Sequence, residues 1–439
     1  MFDASFHHPE TLPGEPVRAW GALATIRLLL QKTAELLLAA ALGLPFWPLY
    51  LLLRLFWRRP PIVCSLARSL RCAGMILTER SAHGPTVAMR LSLLLELGRR
   101  VALNGARGVA WFLDEIIWGR DLQRVRIVAP LFEISAARSG STQLSRYLED
   151  DPHLCAPSVL QESFPLVWLW RLAPRFERFM PKGWLDKMAH TLMPKELQER
   201  HEVNLLRTDT FEIVFLAFFQ LGDIFISLGP RAWAEEFHYA FVQEASREVW
   251  EDDFLRFIDA IGRKALMVAR PDPEGQPRRL LLKGHFLLVA PALAQRYPDA
   301  RFLTMLRAPE KRMQSLINFL RCQTTLPPCP AAPWPWLVEY ACTAEVAYCD
   351  TEMAWFQRAE GPRRCVVRFD DYLRDLEGTM REVYRQCLDR DLSAHVPRAH
   401  AERVRTNYSV DRSLAQLGVD EAALKRRLDA YGRWCRTAA

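Results

Sequence analysis

Residues 132–148 read FEISAARSGSTQLSRYL. An apolar strand end, FEI, runs into a turn of small residues, SAARSGST, and then into a helix opening, QLSRYL. Ser139 and Gly140 allow the backbone to wrap an anion. The free N–H groups at the helix start point into the turn, and the helix dipole favours negative charge there. Ser141 and Thr142 add hydroxyl donors, and Arg138 offers a planar fork to a phosphate or sulfate. The turn lacks the pattern GxxxxGK[ST], which disfavours a nucleoside triphosphatase.

Outward from this turn, strands and helices alternate. VRIVAPLFEIS (125–135) is rich in β-branched residues and reads as the strand that enters the turn. Downstream, RRLLLKG is a strand, LLVAPALAQRY a helix, and ARFLTML a strand opening into the helix of RAPEKRMQSLINFLR. CVVRFDDYL is a further strand and turn. Residues 150–265 read as helical and aromatic-rich, and the chain beyond Glu377 as helical and charged. This order predicts an α/β fold: a P-loop-like central parallel sheet flanked by helices, with large helical insertions and sites at the strand C-termini. Arg307 ends one strand and Ser315 lies two turns into the following helix, so both can reach one phosphate.

Upstream, residues 62–120 read as helices, with MRLSLLLELGRRVAL and VAWFLDEIIWG as two amphipathic pieces. Before them, Leu36–Leu53 is an uncharged run of eighteen residues, at the short end of what spans a bilayer. Pro45 and Pro48 interrupt it. Three readings stand: a kinked spanning helix, a re-entrant membrane hairpin, or a buried helical pair. Arg54, Arg58, Arg59, Arg68 and Arg71 after the run outnumber Arg18, Arg27 and Lys32 before it, which places the following domain in the cytoplasm. The chain divides into a polar tail (1–34), an apolar segment able to attach to a membrane (35–59), a helical lead-in (60–124) and a main domain (125–439).

The net charge of +7 over 439 residues comes without a long basic run. That argues against nucleic acid as a partner and suits a basic pocket for a small anion. Only eight of the 58 basic residues are lysines, which makes a strand-terminal Lys283 noticeable. The ten cysteines show no CxxC or CxxH spacing, so no structural zinc site is expected. They read as reduced thiols in a cytoplasmic compartment.

Taken together, SAARSGST and RAPEKRMQS resemble, in order and spacing, the two signatures of the prokaryotic-type sulfotransferases that use 3′-phosphoadenosine 5′-phosphosulfate. LLLKGHFLLVAPALAQRYPDARF (280–302) resembles the family's LLKxPxH segment, and LDEIIWGRDLQRVRIVAPLFEI its lead-in. RFDDYLRDLEGTMREVY and TNYSVDRSLAQLGVDEAAL are similar to its closing part. The resemblance covers roughly 110–435. It implies that Arg138, Ser139, Gly140, Ser141 and Thr142 hold the 5′-phosphosulfate, and Arg307 and Ser315 the 3′-phosphate. It also implies metal-free in-line transfer to an acceptor hydroxyl. The acceptor, a small molecule, lipid or glycan, is not identified by the sequence; the apolar N-terminal segment points toward a lipid or membrane-bound glycan.

The sequence departs from the family at Ser135 and Ala137, where Gly and Pro are usual. It departs again at LLKGHFL, which puts Leu287 at the motif histidine and His285 at the motif proline. Two bases therefore remain open: Glu162 in PSVLQESF, otherwise a solvated helix-start carboxylate, and His285, otherwise a capped core histidine. Lys283 either senses the bridging oxygen or ends a strand. His201, Glu202, Asp209 and Glu212 in HEVNLLRTDTFE line an acceptor pocket or, as the more ordinary expectation, face solvent. A P-loop kinase-like phosphoryl transferase and a catalytically inactive nucleotide-binding membrane protein of the same fold are the competing readings.

Overall fold

The computed structural model describes residues 22–56, 63–80, 85–177, 204–228, 247–325, 334–358, 360–392 and 412–438. Five parallel strands form one sheet in the order β2-β3-β1-β4-β5. They are β1 (Leu131–Glu133), β2 (Leu154–Cys155), β3 (Arg279–Lys283), β4 (Arg301–Leu306) and β5 (Arg363–Arg368). β1 lies between β3 and β4, with Glu133 level with both Lys283 and Leu303. Side chains alternate across the sheet, as the pleat demands. Phe132, Leu282 and Phe302 enter one apolar cluster, while Leu131, Leu281, Leu303 and Met305 enter another on the opposite face.

β1 is shorter than the 125–135 strand read from the sequence. Ala129 has φ 43°, which breaks the extended run, and Pro130 contributes only its carbonyl, to Arg301 N at 2.8 Å. The two-residue β2 is too short to have left a pattern in the sequence.

The helices that position the site are α1 (Ala22–Gly43), α2 (Trp47–Phe56), α3 (Leu66–Thr78), α4 (Val87–Arg124), α5 (Ser141–Glu149), α6 (Val159–Ser163) and α7 (Val167–Glu177). After them come α8 (Phe211–Gln220), α9 (Arg247–Val268), α10 (Pro309–Thr325) and α11 (Trp334–Phe356). The two amphipathic pieces expected within 62–120 are one 38-residue helix, α4, capped by the Thr86 hydroxyl. No proline falls within it, so nothing forces a break.

α1 and α2 are joined by a single 3-10 turn, Leu44–Phe46. Pro45 and Pro48 fall in first-turn positions, where a missing N–H costs little. The pair lies along α4 through close backbone approaches. A Cβ on Gly43 would come 2.1 Å from Ala102 O, and one on Gly108 would come 2.2 Å from the Tyr50 ring. Among the described residues, only this side is covered. Leu37, Leu38, Leu42, Leu51, Leu52 and Leu55 face outward. The 35 residues from Ala22 to Phe56 are long and apolar enough to cross a membrane by length and composition.

Farther along, α4 is tied into the main domain by Asp114, which is fully buried. Its carboxylate accepts from the amides of Val167 (2.7 Å) and Trp168 (3.2 Å) at the start of α7 and from Lys264 Nζ (2.9 Å) of α9. Lys264 also sits 3.8 Å above the Trp111 ring.

The cysteines depart from the expectation of thiols throughout. β5 brings Cys365 to a Cα–Cα distance of 6.2 Å from Cys387, and the two form a disulfide, a separation within the range such bonds need. Cys64, Cys72, Cys155, Cys342, Cys349 and Cys435 are thiols outside any disulfide.

Candidate active site

The C-terminal ends of β3, β1 and β4 lie side by side, so the three segments singled out from the sequence meet at one edge of the sheet. After β1 the chain turns sharply: Arg138 has φ 66° and Gly140 φ 100°. Glycine is required at 140 on two counts. An L side chain rarely adopts this φ, and a Cβ would meet the Phe369 ring at 2.5 Å and the Met305 sulfur at 3.1 Å. Arg138 in the same region stores about 1–2 kcal/mol of backbone strain, and two contacts hold it there. Arg307 donates to Arg138 O at 2.9 Å, and Arg138 Nε donates to Ser315 Oγ at 2.9 Å.

Thus Arg138, Ser315 and Arg307 converge from two loops. Their guanidiniums lie over aromatic rings, Arg138 5.2 Å from the Phe319 centroid and Arg307 4.5 Å from that of Phe369. Ser139 is buried, and its hydroxyl has no partner among the described residues. Ser141 begins α5; no side chain caps this helix start, and of its first-turn amides Gln143 N turns back to Gly140 O at 3.1 Å. An orphaned hydroxyl, two guanidiniums and a helix N-terminus suit an anionic ligand.

Lys283 closes the site from β3. Its ammonium lies 3.2 Å from Thr142 Oγ1, 2.8 Å from Asp209 Oδ1 and 3.5 Å from Thr210 Oγ1. Ser135, in place of the family's glycine, is fully engaged. Its hydroxyl donates to Glu133 and accepts from Met305 N at 2.8 Å. Its carbonyl lies 2.7 Å from His285 Nδ1. Burial pushes the Glu133 carboxyl up to about 7. That glutamate was not singled out in the sequence, since FEIS reads as an ordinary strand end.

Glu162 is fully buried at the end of α6, and neither carboxylate oxygen has a hydrogen-bond partner among the described residues. Burial first, then the neighbouring Asp209 and Glu212, hold its pKa well above the usual carboxylate range, with Lys283 opposing. The solvated reading of Glu162 is therefore overturned. The same holds for Asp209 and Glu212, which are 4% and 2% exposed. Burial pushes Glu212 up to about 8. Asp209 and Glu212 look polar in sequence, but α8 carries Phe211, Phe215 and Phe219 into the core and draws the acids in with them. His201 and Glu202 lie outside the described residues.

A family model described as "Sulfotransferase family" matches residues 130–389, more than half of the chain. The chain belongs to the sulfotransferase family. It is an enzyme of sulfuryl transfer, and the competing phosphoryl-transferase and inactive-protein readings fall away. No curated protein matches the sulfotransferase sequence. Two solved structures share its fold. Sulfotransferase STF9 from Mycobacterium avium superposes with a TM-score of 0.60 at 17% identity, over 94% of this chain and 96% of that one. Sulfotransferase STF1 from Mycobacterium tuberculosis H37Rv gives 0.52 at 17% identity, over 82% and 92%. The expected central parallel sheet flanked by helices is the architecture of this sulfotransferase.

Proposed function

We propose that the enzyme takes its sulfuryl group from 3′-phosphoadenosine 5′-phosphosulfate and delivers it to a hydroxyl of a lipid or glycan acceptor. The observation that carries this reading is the convergence of Arg138, Ser315 and Arg307 across the C-terminal ends of β1 and β4. Two cationic forks and a serine hydroxyl at one edge suit a ligand with two separate anionic groups. When bound, the donor supplies an activated sulfuryl group on a phosphate leaving group.

Arg138, Ser139, Gly140, Ser141 and Thr142 would grip the phosphosulfate end, and Arg307 and Ser315 the 3′-phosphate. Lys283, poised at Thr142, would offset charge on the leaving phosphate oxygen as its bond to sulfur breaks and the bond to the acceptor oxygen forms. Glu162 would take the acceptor's proton. His285 is the alternative base; a proton on Nδ1 donated to Ser135 O would leave Nε2 basic, a tautomer assigned from that contact.

Attachment to a membrane through α1 and α2 accords with the outward leucines and with an acceptor of lipid character. An assay with sulfur-labelled donor and a panel of lipid and glycan acceptors tests the reading. Transfer to none of them, together with no affinity for 3′-phosphoadenosine 5′-phosphate, would refute it.

A further inference from the structure

The contacts of α1 and α2 advance along α4 in step with the chain. Lys32 Nζ donates to Glu96 at 3.0 Å. A Cβ on Gly98 would meet Leu36 at 3.3 Å. Trp47 Nε1 donates to Ala102 O at 3.3 Å, and Tyr50 packs with Val109 and Phe112. Gly43 and Trp47 keep right-handed helical dihedrals on either side of the Leu44–Phe46 turn. The two helices therefore run on in one direction, whereas a re-entrant hairpin needs a reversal between them.

Over the same stretch, other side chains of α4 are fastened to the body of the enzyme. Arg100 donates to Asp223 Oδ1 at 2.8 Å and to the carbonyl of Ala217 in α8. Asn104 Nδ2 donates to Cys64 O, just before α3, at 2.8 Å. Leu93, Leu97 and Trp111 enter the apolar cluster of Phe215, Phe257 and Phe286. Asp114 then binds α7 and Lys264 of α9. A crossing pair that keeps its contacts with α4 would draw this fastened side into hydrocarbon too. The charges of Arg100, Asp223, Asp114 and Lys264 would enter with it, at a cost the bilayer interior makes high.

The outer side of the pair is apolar. No charged residue falls between Leu36 and Leu53, and only 17% of the most apolar eighteen-residue window is buried, where a core helix would be mostly covered. The apolar surface continues past α2. Ile116 lies one turn beyond Phe112, in the row that seats α2, and Leu113, Ile116 and Ile117 are exposed. Exposed cations stand toward both ends, Arg27 on α1 and Arg54 on α2. Such a strip, along one side of a folded domain, fits the boundary between acyl chains and anionic headgroups.

We infer that α1 and α2 lie along one leaflet of a bilayer without crossing it, with Leu113, Ile116 and Ile117 of α4 on the same surface, so that the enzyme is monotopic. The inference rests on the proposed membrane attachment and deepens it from attachment to orientation.

The test places an encoded fluorescent amino acid singly at Leu30, Leu42, Leu55 or Ile117 of the full chain, all four being exposed. Melting curves show that each protein is folded. Each is bound to vesicles of phosphatidylcholine and phosphatidylglycerol with bromine on the acyl chains, either near the headgroups or near the bilayer centre. All four positions should sit at a common depth of about 5–10 Å and lose more fluorescence to the shallow bromines than to the deep ones. Loss at Leu42 mainly to the deep bromines, with Leu30 and Leu55 answering only to the shallow ones, would overturn the inference in favour of a crossing and leave the attachment standing. Shallow loss on α1 and α2 with none at Ile117 would also overturn it, since α4 is then clear of the lipid. No loss at any position would refute the attachment itself.

Discussion

The guanidinium of Arg138 donates to the hydroxyl of Ser315 at 2.9 Å, so the turn after β1 and helix α10, the two proposed donor-binding segments, are tied to each other. A donor spanning both loops would replace this contact with phosphate oxygens. Arg138→Ala and Arg307→Ala should each lower affinity for 3′-phosphoadenosine 5′-phosphate by about ten- to a hundred-fold, the loss of a charge-assisted contact. Ser315→Ala should cost less, because it removes a ligand contact and also releases Arg138. Isothermal titration measures all three; unchanged affinity in both arginine variants would sink the assignment.

Glu162→Gln should leave nucleotide affinity intact and cut turnover by about 10²–10⁴. The pH dependence follows from the raised pKa of Glu162. A carboxyl that keeps its proton above the usual range becomes a base only at higher pH. The turnover of the wild-type enzyme should therefore rise with pH well beyond pH 4.5, on a limb that Glu162→Gln abolishes. If His285→Ala abolishes that limb and Glu162→Gln does not, the histidine is the base.

The buried acids also bear on stability. Glu133 and Glu212 are raised to about 7 and about 8 in the fold. Between the ordinary carboxylate pKa and these values the folded chain holds protons that the unfolded chain has lost. Their contribution is full below about pH 4.5 and declines as pH rises through 7–8. Glu212→Gln, which keeps the neutral shape, should flatten this decline and raise Tm at pH 9 by about 2–4 °C or more. Thermal melts from pH 5 to 9 check it; a Glu212→Gln melt that falls with pH as steeply as wild type would be the contrary result.

Gly140→Ala should damage the loop on two counts, its φ of 100° and the 2.5 Å approach to Phe369. Adding Phe369→Ala relieves only the second. The double variant should therefore recover part of the stability lost by Gly140→Ala but not the nucleotide affinity, since Phe369 also supports Arg307. Melting and titration of the two variants decide this.

Removing residues 1–60 should move the protein from the membrane to the soluble fraction with nucleotide affinity retained. Contacts between α1, α2 and the remainder run through α4 rather than the sheet. Full-length protein in the soluble fraction, with an aggregated truncate, would show that the apolar helices are a packed cover and not an anchor.

Much of the candidate donor edge was legible in the sequence because its signals are local. Residues 280–283 and 301–306 are compact apolar runs, and SAARSGST carries the turn residues between a strand and a helix. The carboxylate cluster was not legible. Asp209 and Glu212 sit in a polar-looking stretch, and only the docking of α8 against α6 and α9 sets them beside Lys283 and Glu162. The length of α4 was hidden by Gly98, Gly105 and Gly108, which resemble breaks in the amphipathic pattern. In the fold, Gly105 and Gly108 instead make room for Trp47 and Tyr50.

At 1.5 Å per residue α4 is about 57 Å long. α2 rests on it near Gly105 and Gly108, and Asp114 fastens it to α7 and α9 less than two turns farther on. A single helix thus links the apolar surface of α1 and α2 to the body of the enzyme. Under the proposed reading, in which that surface lies in a membrane and the acceptor is a lipid or glycan there, acceptors would be sorted by how far their hydroxyl projects from it as well as by chemical fit.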